Sequence, residues 1–122
     1  MDRVARQTVL LVEDDAALRS LFCEALEGAG FGVVAVESAE EALLRLESPG
    51  LAAVVSDLEL PGASGIELLR QVRSLRPELA TLAMSASAPA EPLPEGVSFV
   101  SKPLALEILV AAVRAALTIR PS

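Results

Sequence analysis

The sequence predicts an α/β domain in which a doubly wound parallel sheet is covered by helices on both faces. Apolar runs of strand length alternate with segments of helical period along the whole chain. The runs are apolar throughout rather than at every second residue, the signature of strands buried twice by right-handed crossovers. A third observation concerns how the runs end. Thr8-Val-Leu-Leu-Val12 stops at Glu13, Asp14 and Asp15; Ala53-Ala-Val-Val-Ser56 at Asp57; Leu79–Met84 at Ser85; and Val97–Ser101 at Lys102-Pro103. In a parallel α/β sheet those carboxyl ends share one edge, where such folds place their sites.

Taken in order, the Thr8–Val12 strand leads into a helix at about 16–29, with Leu18, Leu21, Phe22, Ala25 and Leu26 on one face. Gly28 and Gly30 stop it, and 31–36 reads as the second strand. Ser38 with Glu41 three residues on forms a capping box for a helix over 39–46, ended by Ser48-Pro49-Gly50. The Asp57 strand follows. Ser64 and Glu67 repeat the capping pattern and open a helix over 65–75, with Ile66, Leu69 and Val72 inward. After Arg76-Pro77 comes the Leu79 strand. The last helix, about 104–118, puts Leu106, Leu109, Val110, Val113 and Leu117 on its buried stripe.

One crossover breaks the alternation. Ser85-Ala-Ser-Ala-Pro-Ala-Glu-Pro-Leu-Pro-Glu95 stands where the fourth helix belongs. Pro92 and Pro94 each remove a helical donor and clash with the preceding turn, at about 3 kcal/mol apiece in a helix interior. The fourth helix is therefore expected to be missing or vestigial. An irregular loop with no apolar stripe of its own should replace it.

At 122 residues the chain forms one domain with its core at about 8–118. A net charge of −7 and 2% aromatics leave no footprint for nucleic acid or an anionic membrane. The single Cys23 lies in a helical pattern and reads as a structural thiol in a reducing compartment. Met1–Gln7 is too short and too charged for a signal peptide or a membrane span, so a cytoplasmic location is expected. With no histidine there can be no Ser-His-Asp triad, no histidine metal ligand and no phosphohistidine on this chain.

The bland readings of the strand-end residues are respectable singly. Asp15 is a helix N-cap; Asp57 could be a turn residue, Ser85 one of several small residues, Lys102 a solvated amine. Together they share one geometric cause. Two carboxylates about 5 Å apart repel by roughly 3 kcal/mol at an effective dielectric of 20, so crowding Glu13, Asp14 and Asp57 is sensible when a cation binds. Hard oxygen ligands in a phosphate-chemistry setting favour Mg²⁺. An ionised Asp57 can attack phosphorus to give an acyl phosphate, with Lys102 placed to pair with it and then with a phosphoryl oxygen.

Four motifs in this order carry a resemblance over about 8–117: Val9-Leu-Leu-Val-Glu-Asp-Asp15, Val55-Ser-Asp-Leu-Glu-Leu-Pro-Gly62 with Gly65 beyond, Met84-Ser-Ala86 and Val100-Ser-Lys-Pro103. The chain resembles a receiver domain of a two-component response regulator. That resemblance implies a flavodoxin-like (βα)₅ fold with strand order 2-1-3-4-5. It implies Asp57 as phosphoacceptor and Mg²⁺ as cofactor. Asp14 and Asp57 would ligate the ion directly, Glu13 mainly through a bound water, and Glu59 through its main-chain carbonyl. Ser85 would be the switch hydroxyl, Lys102 the phosphoryl-binding lysine, Phe99 the aromatic whose rotamer follows the switch, and Lys102–Pro103 a cis peptide. The implied partner is a histidine kinase or a histidine phosphotransfer protein; because the missing fourth helix removes part of the surface on which such domains commonly pair, a monomer or weak dimer is expected.

Both a free-standing regulator and a domain within a longer hybrid kinase or regulator fit these residues. The domain is expected to promote its own phosphorylation and slow hydrolysis without turning over a separate substrate. An aspartate-nucleophile phosphohydrolase would place a second Asp two residues after the first, where Glu59 stands. A receiver degenerated to protein binding would have lost an acid, the hydroxyl or the lysine, and none is lost.

Overall fold

The apolar runs become the strands of one parallel sheet. The computed structural model describes residues 6–119; the remaining terminal residues, with most of the charged amino-terminal stretch, lie outside them. Its elements are β1 (Thr8–Val12), α1 (Ala16–Gly28), β2 (Gly32–Val36), α2 (Ala39–Leu44), β3 (Leu51–Asp57), β4 (Glu59–Leu60), β5 (Ala63–Ser64), α3 (Gly65–Leu75), β6 (Ala80–Ser85), β7 (Val97–Ser101) and α4 (Leu106–Ile119). The long strands run β2-β1-β3-β6-β7, all pairings parallel, which is order 2-1-3-4-5 among the five. The fold is the flavodoxin-like one, with four helices among the described residues.

Each strand feeds two cores because its side chains alternate across the sheet. Leu10 and Val12 of β1 pack with Ala39 and Ala42 of α2 and Leu68, Leu69 and Val72 of α3. Val9 and Leu11 pack with Phe22 and Leu26 of α1 and Leu109 and Val113 of α4. That double demand is why the strands carry no polar alternation.

The helices start where side-chain acceptors meet orphan amides. Asp15 Oδ1 accepts from the Leu18 N–H at 3.0 Å, Ser38 Oγ from Glu41 at 3.1 Å and Ser64 Oγ from Glu67 at 3.3 Å. Glu41 reaches back to the Glu37 N–H at 3.1 Å, one residue before its cap. Two stripe residues differ from the sequence reading: Leu21 and Leu106 are 48% and 36% exposed. They sit at the margins of helical faces whose centres, Phe22 and Leu109, are buried. The two-residue strands β4 and β5 form an antiparallel hairpin, too short to leave a period in sequence.

No helix forms among residues 86–96. The loop carries one apolar anchor rather than a stripe: Leu93 packs against the same cluster as Phe99 and Val97. Polar contacts hold the rest. Ser87 Oγ donates to Glu59 Oε2 at 3.2 Å, Arg70 pairs with Glu91 at 3.1 Å, and Thr81 Oγ1 donates to the Gly96 carbonyl at 3.2 Å.

Candidate functional site

Strand register brings the polar ends together. Val12 aligns with Ser56, Asp57 with Met84, and Ser85 with Ser101. Glu13, Asp57, Ser85 and Lys102 therefore leave the sheet side by side. The backbone continues the ladder past the strands: Glu13 N–H donates to Val36 O at 3.1 Å and Lys102 N–H to Ser85 O at 2.8 Å. The Lys102–Pro103 peptide is cis.

Asp57 is 4% exposed and both carboxylate oxygens have donors. Oδ1 accepts from the Glu59 N–H at 2.9 Å and Oδ2 from Lys102 Nζ at 2.9 Å. Close approach of α3 is what lets the turn close. A Cβ on Gly65 would stand 2.3 Å from the Asp57 carbonyl oxygen and 2.5 Å from Leu58 Cα, so only glycine fits.

Glu13 is 1% exposed. Its Oε1 accepts from Lys102 Nζ at 2.7 Å and its Oε2 from the Asp15 N–H at 3.1 Å. Burial pushes the Glu13 carboxyl above its ordinary 4.5, and the hydrogen bonds from Lys102 and Asp15 offset only part of that rise. Desolvation alone would lower the Lys102 ammonium, but the two carboxylates it touches outweigh it and raise it above 10.5. The lysine is thus held charged between two acids.

Asp14 completes the cluster from an exposed position. Glu13, Asp14 and Asp57 each offer a carboxylate oxygen, all within 4.8 Å of one another. Three carboxylates against one ammonium leave a formal charge of −2 in the pocket, an all-oxygen set suited to a hard divalent cation. Both oxygens of Glu13 already accept protein donors, whereas Asp14 is exposed and its carboxylate accepts no hydrogen bond among the described residues. Asp15 is turned away as the α1 cap.

Ser85 ends β6 buried, its Oγ accepting from the Ser87 N–H at 3.2 Å. Phe99 lies in the middle of β7, beside Ala83 and half-buried against the α2–α3 core. Two features escaped the sequence reading. Ser87 and Glu59 bridge the 86–96 loop to the turn after Asp57. Arg19 binds the main chain of the acidic turn, donating from Nη1 to Glu13 O at 2.9 Å and to Asp14 O at 3.4 Å. A lone cation one turn into the helix that follows the acids was the available signal.

Known proteins resemble the chain in sequence and in fold. The family described as response regulator receiver domain matches residues 9–114. The transcriptional regulatory protein DctD of Rhizobium meliloti, described as governing C4-dicarboxylate transport, is 33% identical over 117 residues, covering 92% of this chain and 25% of the relative. The chain thus spans a quarter of that relative's length. A receiver domain protein from Methanospirillum hungatei superposes with a TM-score of 0.88 at 26% identity, covering 95% of this chain and 97% of the other. A receiver protein from Sinorhizobium medicae gives 0.84 at 29% identity, with 95% and 98% covered. Among the described residues no helix is long and apolar enough to cross a membrane. The matched length, the shared fold and an acidic pocket of Glu13, Asp14 and Asp57 beside Lys102 lead to one conclusion: the chain belongs to the response regulator receiver family.

Proposed function

We propose that Asp57 accepts a phosphoryl group from a phosphohistidine on a partner histidine kinase or histidine phosphotransfer protein. The observation that carries this reading is the pair of contacts at the Asp57 carboxylate. Lys102 Nζ lies 2.9 Å from Oδ2, and two further acids offer oxygens within 4.8 Å. An Asp57 oxygen attacks phosphorus in line; the P–N bond to the donor imidazole breaks and its electron pair leaves with the ring nitrogen. The product is an acyl phosphate. Lys102, already charged, transfers its hydrogen bond from the carboxylate to a phosphoryl oxygen. Glu13, Asp14 and Asp57, with the Glu59 main-chain carbonyl, would hold Mg²⁺, whose charge offsets that of the phosphoryl oxygens when bound.

The readout runs through the neighbours of the acceptor. Ser85 Oγ, now accepting from Ser87, is the hydroxyl that turns to the new oxygens, and Phe99 follows on the next strand. That exchange biases a two-state equilibrium and needs no separate substrate; slow hydrolysis of the acyl phosphate resets it. Incubation with acetyl phosphate and Mg²⁺ should add one phosphoryl group by intact mass, and Asp57→Asn should abolish it. Full labelling of Asp57→Asn would remove Asp57 from the role.

A further inference from the structure

The acidic turn between β1 and α1 poses a bonding problem of its own. Its carbonyls at Glu13 and Asp14 fall between a strand ladder and a helix ladder; the first is half-buried and needs a donor, and the second is exposed. The Asp15 carbonyl is already served by the Arg19 N–H at 2.8 Å inside α1. The Glu13 and Asp14 carbonyls are served by the Arg19 side chain, at 2.9 Å and 3.4 Å from one guanidinium nitrogen. A single donor reaching two successive carbonyls, firmly at Glu13 and more loosely at Asp14, restrains the peptide planes flanking the Asp14 Cα.

That matters because the three acids are oriented differently. Glu13 is clamped through its carboxylate by Lys102 and the Asp15 N–H, and Asp57 by Lys102 and the Glu59 N–H. Among the described residues no hydrogen bond holds the Asp14 carboxylate. Its aim into the pocket is set by the main chain alone.

We propose that Arg19 is a positioning residue for the cation site, holding the Glu13–Asp14 main chain so that the Asp14 carboxylate faces Asp57. This rests on the reading of the pocket as a Mg²⁺ site. Arg19 has two opposed influences, and they make the idea testable. As a positive charge near the acids it disfavours a dication. As a fork on the carbonyls it preorganises the site. Lysine keeps the charge and loses the planar guanidinium that meets two carbonyls at once.

The experiment is a calorimetric Mg²⁺ titration of wild type, Arg19→Lys and Arg19→Gln, with metal-free thermal midpoints and the rate of acetyl phosphate labelling at saturating Mg²⁺. Both variants should need about three- to tenfold more Mg²⁺ for half-saturation, the scale of one ordinary intramolecular hydrogen bond. Labelling should recover when the ion is saturating, since Arg19 does not touch the reacting atoms. Tighter binding in Arg19→Gln with wild-type binding in Arg19→Lys would mean that only charge matters and would overturn the proposal. Wild-type affinity in both would do the same. If Arg19→Gln fails to fold, Arg19→Lys alone decides. Absence of Mg²⁺ binding by the wild type would instead bring down the reading of the pocket, and this proposal with it.

Discussion

The crossovers from β3 to β6 and from β6 to β7 accomplish the same return across the sheet with different materials. The first uses α3, eleven residues long, which buries Ile66, Leu68, Leu69 and Val72. The second has no helix and one apolar anchor, Leu93, together with side-chain hydrogen bonds at 3.1–3.2 Å. A parallel connection therefore needs enough chain to return and some apolar cover for the sheet; a helix is one way to supply both. The difference also divides labour. Apolar burial makes the α3 side stiff, whereas the loop beside Ser85 is held by polar contacts that a local charge change can rearrange.

Truncations should separate the two crossovers. The largest effect belongs to Leu69→Ala, which empties a fully buried site and should cost about 2–5 kcal/mol in urea unfolding. Gly65→Ala comes next, at about 1–3 kcal/mol, because the new Cβ meets backbone that cannot swing aside. It should also slow acetyl phosphate labelling, since the atom it strikes is the Asp57 carbonyl. Leu93→Ala removes a half-buried side chain and should cost about 1 kcal/mol. A loss for Leu93 matching that for Leu69 would erase the distinction between the crossovers.

A smaller effect is a pH slope. The folded Glu13 carboxyl lies above 4.5, so between 4.5 and its raised value the native chain holds a proton that the unfolded chain releases. Stability contributed by this group is complete below 4.5 and falls as pH rises through that window. Glu13→Gln, measured by thermal midpoint in metal-free buffer, should flatten the fall; an unchanged slope would assign it elsewhere. Arg70→Gln should give no resolvable change in midpoint, because both its ion pairs are exposed and solvent-screened. A clear loss would show the polar ties to be stronger than this account allows.

Much of this was legible in the residues, for physical reasons. Strands buried on both faces must be apolar throughout, so β1, β3 and β6 stand out as continuous runs. Prolines at 89, 92 and 94 forbid a helix, and none forms among residues 86–96. The convergence of Glu13, Asp14, Asp57 and Lys102 follows from parallel strands sharing an edge. What remained hidden depended on side-chain reach. The Ser87–Glu59 bridge spans 28 residues, and Arg19 acts on carbonyls, which leave no trace in residue type. Leu21 and Leu106 were placed inside because a helical period marks a stripe's direction better than its width. Leu93 between two prolines has no period at all.

Chemical trapping of the phosphorylated position tests the central claim most directly. Borohydride reduces an acyl phosphate to the alcohol, converting a phosphorylated aspartate into homoserine. After treatment with acetyl phosphate and Mg²⁺, peptide mapping should find homoserine at position 57 and at no other carboxylate. Homoserine at Asp14 or Asp15, or the one-carbon-longer amino alcohol at Glu13, would contradict the account, as would a phosphoryl label that borohydride leaves untouched.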